Sequence, residues 1–157
     1  MSEKTVHKPS DATPYVTWLY MGIIVLAQAQ MAFNVNAIPV SIGPIVEELN
    51  IPATGVGTAL VVYSLFVAAF VMLGAKIGKI FGERLVFQVT ALLHGLSMAV
   101  MAVSQDATTM NIAQALAGIA AAALVPTLVV LIAANYNGAQ KAQALGILAA
   151  TPALSGA

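Results

Sequence analysis

The sequence contains no cysteine, only two histidines, and charged side chains at only 8% of its 157 positions. The lack of cysteine excludes disulfides, thiolate metal sites and cysteine nucleophiles. Two histidines are too few for a histidine-rich metal centre. The formal net charge is zero, and no basic block lies outside the loops, so we expect no nucleic-acid partner. No nucleophile is paired with a base, and we therefore expect neither an enzyme nor a cofactor.

Apolar residues make up 60% of the sequence, far above the soluble average. They form runs of about twenty residues or more, the length of helix that crosses the hydrocarbon layer. The predicted fold class is all-α: a polytopic helical membrane protein with four complete spans and the start of a fifth. The predicted spans are residues 15–39, 54–76, 85–103, 110–136 and 142–157, after a disordered cytoplasmic tail at residues 1–14.

The first apolar run is too long for a signal-peptide core, so we expect it to remain as a membrane anchor. The last run, residues 142–157, is short for a crossing of about 30 Å at 1.5 Å per residue. We therefore expect an incomplete fifth span, and a chain that works only with the C-terminal helices of the same or another chain. Residues 15–157 would form most of an N-terminal bundle.

The loop charges predict the orientation of the chain. If the spans alternate from the N-terminus, every Lys and Arg falls on one side, which the positive-inside rule makes the cytoplasm. The acidic residues Glu47, Glu48 and Asp106 fall outside. We expect a multi-pass protein of the plasma or inner membrane with a cytoplasmic N-terminus. The basic residues are Lys4, Lys8, Lys76, Lys79, Arg84 and Lys141.

Three amides and one imidazole are the candidate cavity residues. Gln30 and Asn34 are four residues apart and share a helix face, Gln114 is the buried polar side chain of the fourth span, and His94 lies in the third. An amide in lipid is costly unless it finds partners, so this face should point into a bundle or a water-filled cavity. The alternative is interhelical hydrogen bonding without substrate contact.

His94 is the histidine at membrane depth, and His7 lies in the polar tail. An ionisable residue inside a membrane is a functional hypothesis by default, and histidine titrates near neutral pH. The alternative is a neutral ring whose nitrogens bond to a backbone carbonyl or to a hydroxyl such as that of Ser97. The pair His94 and Ser97 lacks a third orienting group and a nucleophile elbow, which excludes a hydrolase site.

Two polar segments interrupt the apolar runs. Residues 41–52 have breakers at both ends and are predicted to form a loop with one helical turn, in which Glu47 and Glu48 are solvated rather than catalytic. Residues 74–84 are predicted to form a glycine-punctuated cytoplasmic loop between the second and third spans. Small residues in the second, fourth and fifth spans favour close helix packing, and Pro126 is expected to free a carbonyl and bend the fourth.

Three stretches carry a resemblance to a known family. Residues 35–39 are similar to the family's first helix end, which runs from an asparagine to a proline. Residues 75–84 are similar to its glycine-led loop with a Phe-Gly pair. Residues 111–126 and the loop after them are similar to its fourth helix and the connection that follows. Together they resemble the N-terminal part of a major facilitator superfamily transporter, in particular its fourteen-helix drug:proton antiporter branch.

The resemblance implies a gating role for the loop residues Gly74, Gly78, Lys79, Gly82, Glu83 and Arg84. Lys79 stands where the family has aspartate and Glu83 where it has a basic residue, so an ion pair or helix-end interaction would have reversed polarity. Gln30 stands at the position of the branch's aspartate and Gln114 at that of its arginine. Because neither amide carries a proton, the sequence does not predict proton coupling through these two positions.

The resemblance implies a secondary active transporter of the efflux type, working by alternating access on a small molecule such as a drug-like amphiphile, within a lipid bilayer. The alternative is a membrane sensor or scaffold that keeps the facilitator fold and has lost transport. A small four-helix exporter working as a dimer needs a membrane carboxylate, and the predicted spans contain none.

Overall fold

The computed structural model describes residues 14–155, which form six α-helices joined by short connections. The predicted all-α fold class is confirmed, and four of these helices are long and apolar enough to cross a membrane. The predicted tail lies outside the described residues except for Pro14. The helices are α1 (Pro14–Val40), α2 (Ile42–Leu49), α3 (Ala53–Phe81), α4 (Glu83–Ala102), α5 (Ala107–Asn135) and α6 (Gly138–Leu154).

Helix α5 lies at the centre of the bundle, with 61% of its apolar stretch buried. It packs against α3 and α4, while α6 packs mainly against α1. Alanine and glycine fill the middle of α5, so neighbouring backbones come close to it. A Cβ at Gly118 would lie 2.6 Å from the backbone oxygen of Tyr63 on α3. Small residues thus set the spacing of the central helices, as the sequence predicts.

The predicted loop at residues 74–84 is almost entirely helical, which corrects the sequence-based expectation. Helix α3 continues to Phe81 and α4 begins at Glu83, so Gly82 alone separates them. Gly82 has φ +90° and ψ 133°, a conformation that glycine adopts without steric cost. Its N–H donates to the carbonyl of Gly78 at 3.0 Å. The charged residues around this turn extend the helices, since Lys, Glu and Arg are good helix formers.

The segment after α1 is also more helical than its breakers predict. Helix α2 covers eight residues rather than one turn. Pro44 is the third residue of this helix, and so it lies in the first turn, where the missing N–H costs no intrahelical bond. Asn50 ends the helix in the left-handed conformation, with φ 51° and ψ 43°. Glu47 and Glu48 are both exposed, as expected for solvated carboxylates.

Candidate functional site

Two of the predicted cavity amides bind each other. The side chain of Asn34 on α1 donates to Gln114 Oε1 at 3.1 Å, and Gln114 Nε2 donates to Asn34 Oδ1 at 2.9 Å. Asn34 is 4% exposed and Gln114 is 0% exposed. The pair closes a ring of two hydrogen bonds between α1 and α5, so each buried amide is satisfied in an apolar environment. For Asn34 and Gln114 the geometry is therefore that of the alternative, a hydrogen bond between helices.

Gln30 has a different environment from that pair. It borders a groove of about 610 Å³ between α1 and α4, and its amide has no hydrogen-bond partner within the described residues. A Cβ at Gly95 of α4 would lie 3.3 Å from Gln30 Nε2, so the amide rests against the α4 backbone. The groove is lined by Leu26, Ala29, Gln30, Phe33, Asn34, Ala37, Ile38, Ser41, Ile45, Met98, Met101 and Ala102.

A second cleft of about 240 Å³ lies on another face of α1, where α1, α3, α5 and α6 meet. Its polar groups include Gln28, Asn36 and Tyr63, and Asn36 Nδ2 donates to the carbonyl of Pro152 at 3.3 Å. The sequence-based choice of site residues omitted Gln28 and Asn36. Helical periodicity could have indicated a second polar face, because Gln28 and Gln30 are two residues apart and point about 200° away from each other around α1.

His94 borders neither space. It is 0% exposed on the buried face of α4, and neither ring nitrogen has a hydrogen-bond partner among residues 14–155. The hydroxyl of Ser97, expected as a partner, donates instead to the Leu93 carbonyl at 2.8 Å. The alternative of a ring whose nitrogens bond to a backbone carbonyl or to Ser97 therefore does not describe this arrangement of the helices.

The predicted gating residues divide between the two helices around Gly82. Gly74 and Gly78 lie buried in α3, and Lys79 and Arg84 are exposed. The carboxylate of Glu83 folds back over α3, so that a Cβ at Gly78 would lie 2.5 Å from Glu83 Oε2. Glu83 thus packs against the backbone of Gly78 near the end of α3.

Four helices long and apolar enough to cross a membrane, with a buried amide pair between α1 and α5, agree with what a comparison with known families finds. Residues 24–157 match the Major Facilitator Superfamily. The chain belongs to this family of membrane transporters. It is also 25% identical over 134 residues to the puromycin resistance protein pur8 of Streptomyces alboniger, a match that covers 85% of this chain and 27% of that relative. The chain thus spans about a quarter of the length of this relative.

Proposed function

We propose that this chain forms part of a secondary transporter that exports a neutral or amphiphilic small molecule by alternating access. The observation that carries the proposal is the α1–α4 groove, an apolar space of about 610 Å³ with the unpaired amide of Gln30 in its wall. Sites for small molecules commonly have volumes of about 300–1,000 Å³, with few polar groups that orient the ligand. The similarity to a protein named for puromycin resistance supports export of an amphiphile.

Within this proposal Gln30 orients the substrate and Asn34 contributes structure at the edge of the groove. The Asn34 amide is paired with Gln114, whereas the Gln30 amide retains both donors and its acceptor. None of the described residues that line the groove is charged, which favours neutral groups or delocalised cations over strongly hydrated ions. Gly82 and the helix ends around it form the hinge at which α3 and α4 change their angle.

The proposal is tested with the full-length protein in proteoliposomes under an imposed pH gradient. Internal pH and uptake are followed while puromycin, other amphiphilic cations and neutral metabolites are added. The matched variants are Gln30→Leu and Gln28→Leu, which remove the same amide from different faces of α1. We expect Gln30→Leu to reduce transport about tenfold, the effect of losing one hydrogen bond of roughly 1.4 kcal/mol, and Gln28→Leu to retain transport.

The other outcomes have definite meanings. Loss of transport in Gln28→Leu alone would move the substrate route to the cleft beside α3 and α6, and leave the larger groove to lipid or another helix. Transport that neither substitution changes would exclude both α1 faces. Absence of transport in folded protein for every compound tested would favour the sensor or scaffold function.

A further inference from the structure

His94 is a buried imidazole, and within the part of the chain that the structure describes neither ring nitrogen has a hydrogen-bond partner. The residue lies near the middle of the candidate span Glu83–Ala102 and is 0% exposed. A buried polar group that loses its bonds to water and gains none in return is destabilising. Such a residue inside a transporter helix requires a reason beyond packing.

The neighbouring hydroxyls on α4 do not serve the imidazole. Thr90 Oγ1 donates to the Val86 carbonyl at 2.6 Å, and Ser97 Oγ donates to the Leu93 carbonyl at 2.8 Å. Both hydroxyls lie one turn from His94 and bond back to their own helix. In this arrangement neither hydroxyl bonds to the ring.

Helix α5, which packs along α4, makes no hydrogen bond to His94 in this arrangement, although Asn111 Oδ1 on α5 is also buried without a partner among the described residues. Between Met110 and Leu124 its buried residues are alanine or glycine, with Gln114 as the one exception among the described residues. The Gln114 amide is already paired with Asn34.

Among the described residues, the helices around His94 place no charged group near it that would stabilise an imidazolium. Neither α5 nor α1 contains Asp, Glu, Lys or Arg in its described range. On α3 the ionisable residues are Tyr63, Lys76 and Lys79, the two lysines near its end. On α4 they are Glu83 and Arg84 in the first turn, about 15 Å from His94 at 1.5 Å per residue. The packed arrangement therefore accommodates the neutral ring alone.

We propose that His94 is a proton-binding site whose protonation favours a second arrangement of α4 against α5, in which water reaches the imidazole. The proton comes from bulk water and forms an N–H bond at the ring nitrogen that carried none. Both nitrogens are then donors, and a buried charge without partners is far more costly than a neutral ring. This role in transport rests on the function proposed above: protonation of His94 makes the alternation between the two helix arrangements depend on pH.

The first test measures access to the α4–α5 contact. The 157 residues contain no cysteine, so in a full-length protein whose remaining cysteines are replaced by serine, Ser97→Cys gives a single thiol one turn from His94. Its labelling rate with a small maleimide is measured in the full-length protein from pH 8 to 5 and divided by the rate for Gln105→Cys, an exposed position. If only the opened arrangement takes up the proton, we expect the ratio to rise about tenfold per pH unit below roughly 6.5.

The matched variant is His94→Leu in the Ser97→Cys background, which should fold because the site offers no hydrogen bond to lose. We expect its labelling ratio to stay flat with pH. A flat ratio with His94 present, in protein that remains folded, would overturn the proposal, as would an equal rise in His94→Leu. A second readout is the ¹⁵N signal of labelled histidine, which reports whether the ring is protonated. The variant His7→Gln assigns the signals of the two histidines in this sequence. A His94 ring that stays neutral while labelling rises would also overturn the proposal.

The transport assay separates this inference from the proposed function. We expect transport to depend on pH with His94 and to lose that part of the dependence in His94→Leu. If folded protein transports no compound, the proposed function fails while the labelling result stands. If transport is present but labelling does not respond to pH, the role of His94 fails and the transporter function stands.

Discussion

The backbone of Gly74 on α3 contacts the carbonyl group of Ala122 on α5, and a Cβ at position 74 would lie 2.5 Å from that oxygen. Helix α5 contains Pro126 four residues later. Proline has no N–H, so the carbonyl of Ala122 lacks its usual intrahelical donor. The freed carbonyl thus lies where α3 presents a residue without a side chain, and the two helices come into backbone contact.

Substitution of Gly74 should therefore destabilise the bundle. We expect Gly74→Ala to lower the free energy of unfolding by about 1–3 kcal/mol, the usual cost of overpacking against backbone that cannot move aside. The control is Gly57→Ala in the same helix, where an added Cβ would meet nothing within 4 Å. Gly57→Ala should be neutral or stabilising by roughly 0.5–1 kcal/mol because alanine is the better helix former. Thermal unfolding in detergent measures both, and equal losses would contradict the argument.

The Asn34–Gln114 pair should behave as one unit in a double-mutant cycle. Asn34→Leu leaves the Gln114 amide buried and unpaired, at a cost of about 1–2 kcal/mol in a membrane helix. Gln114→Leu should have a similar effect. The double variant should lose less stability than the sum of the two, because neither amide is left alone. Gln88→Leu, at an exposed position on α4, is the control, and strict additivity would show that the two amides do not interact.

The apolar pattern of the sequence predicts most of the fold, because each long run contains enough residues to form a helix across a membrane. It does not predict where α3 ends. Lys76 and Lys79 are polar enough to resemble a loop, yet Lys is a good helix former and α3 continues through both positions. Hydropathy indicates whether a residue lies in lipid or water and does not determine its backbone conformation. Helix α3 ends because Gly82 adopts a positive φ.

The candidate site is only partly predictable for a related reason. Spacing places Gln30 and Asn34 on one face of α1, and the groove between α1 and α4 borders both. Spacing within one helix does not identify a partner on another helix, and so the bond from Asn34 to Gln114, 80 residues away in sequence, is not predictable. The same limit explains His94, whose lack of partners depends on the side chains that α5 presents.

Asp106 should make the start of α5 sensitive to acid. Its carboxylate accepts hydrogen bonds from the backbone N–H of Thr109 at 2.9 Å and from the Thr109 hydroxyl at 2.7 Å. These bonds lower the pKa of Asp106 from its ordinary value of 3.8, the backbone bond having the larger effect. Asp106 is the N-cap of α5. Because its pKa is lowered in the folded state, its carboxylate stabilises the fold above pH 3.8, and this stabilisation is lost as pH falls further.

The measurement is the difference in melting temperature between the unsubstituted protein and Asp106→Ala from pH 7 to 3. We expect the unsubstituted protein to melt higher near pH 6 and the difference to shrink below about pH 4, where the carboxylate takes up a proton. Asp106→Asn, which keeps a capping oxygen without a charge, should show a nearly constant difference from Asp106→Ala. A difference that grows on acidification would contradict the assignment of the cap.

The turn at Gly82 should tolerate no other residue, because its φ of +90° and ψ of 133° lie outside the left-handed helical region. We expect Gly82→Ala to destabilise the protein by about 1–3 kcal/mol, as do other residues held in glycine-only conformations. Gly82→Asn should be no better, even though Asn50 adopts the left-handed conformation with φ 51° and ψ 43°. The control is Gly43→Ala, where an added Cβ meets nothing within 4 Å. Full stability of Gly82→Asn would show that the α3–α4 turn can relax to the left-handed helical conformation. The glycine conformation would then not be required at this turn.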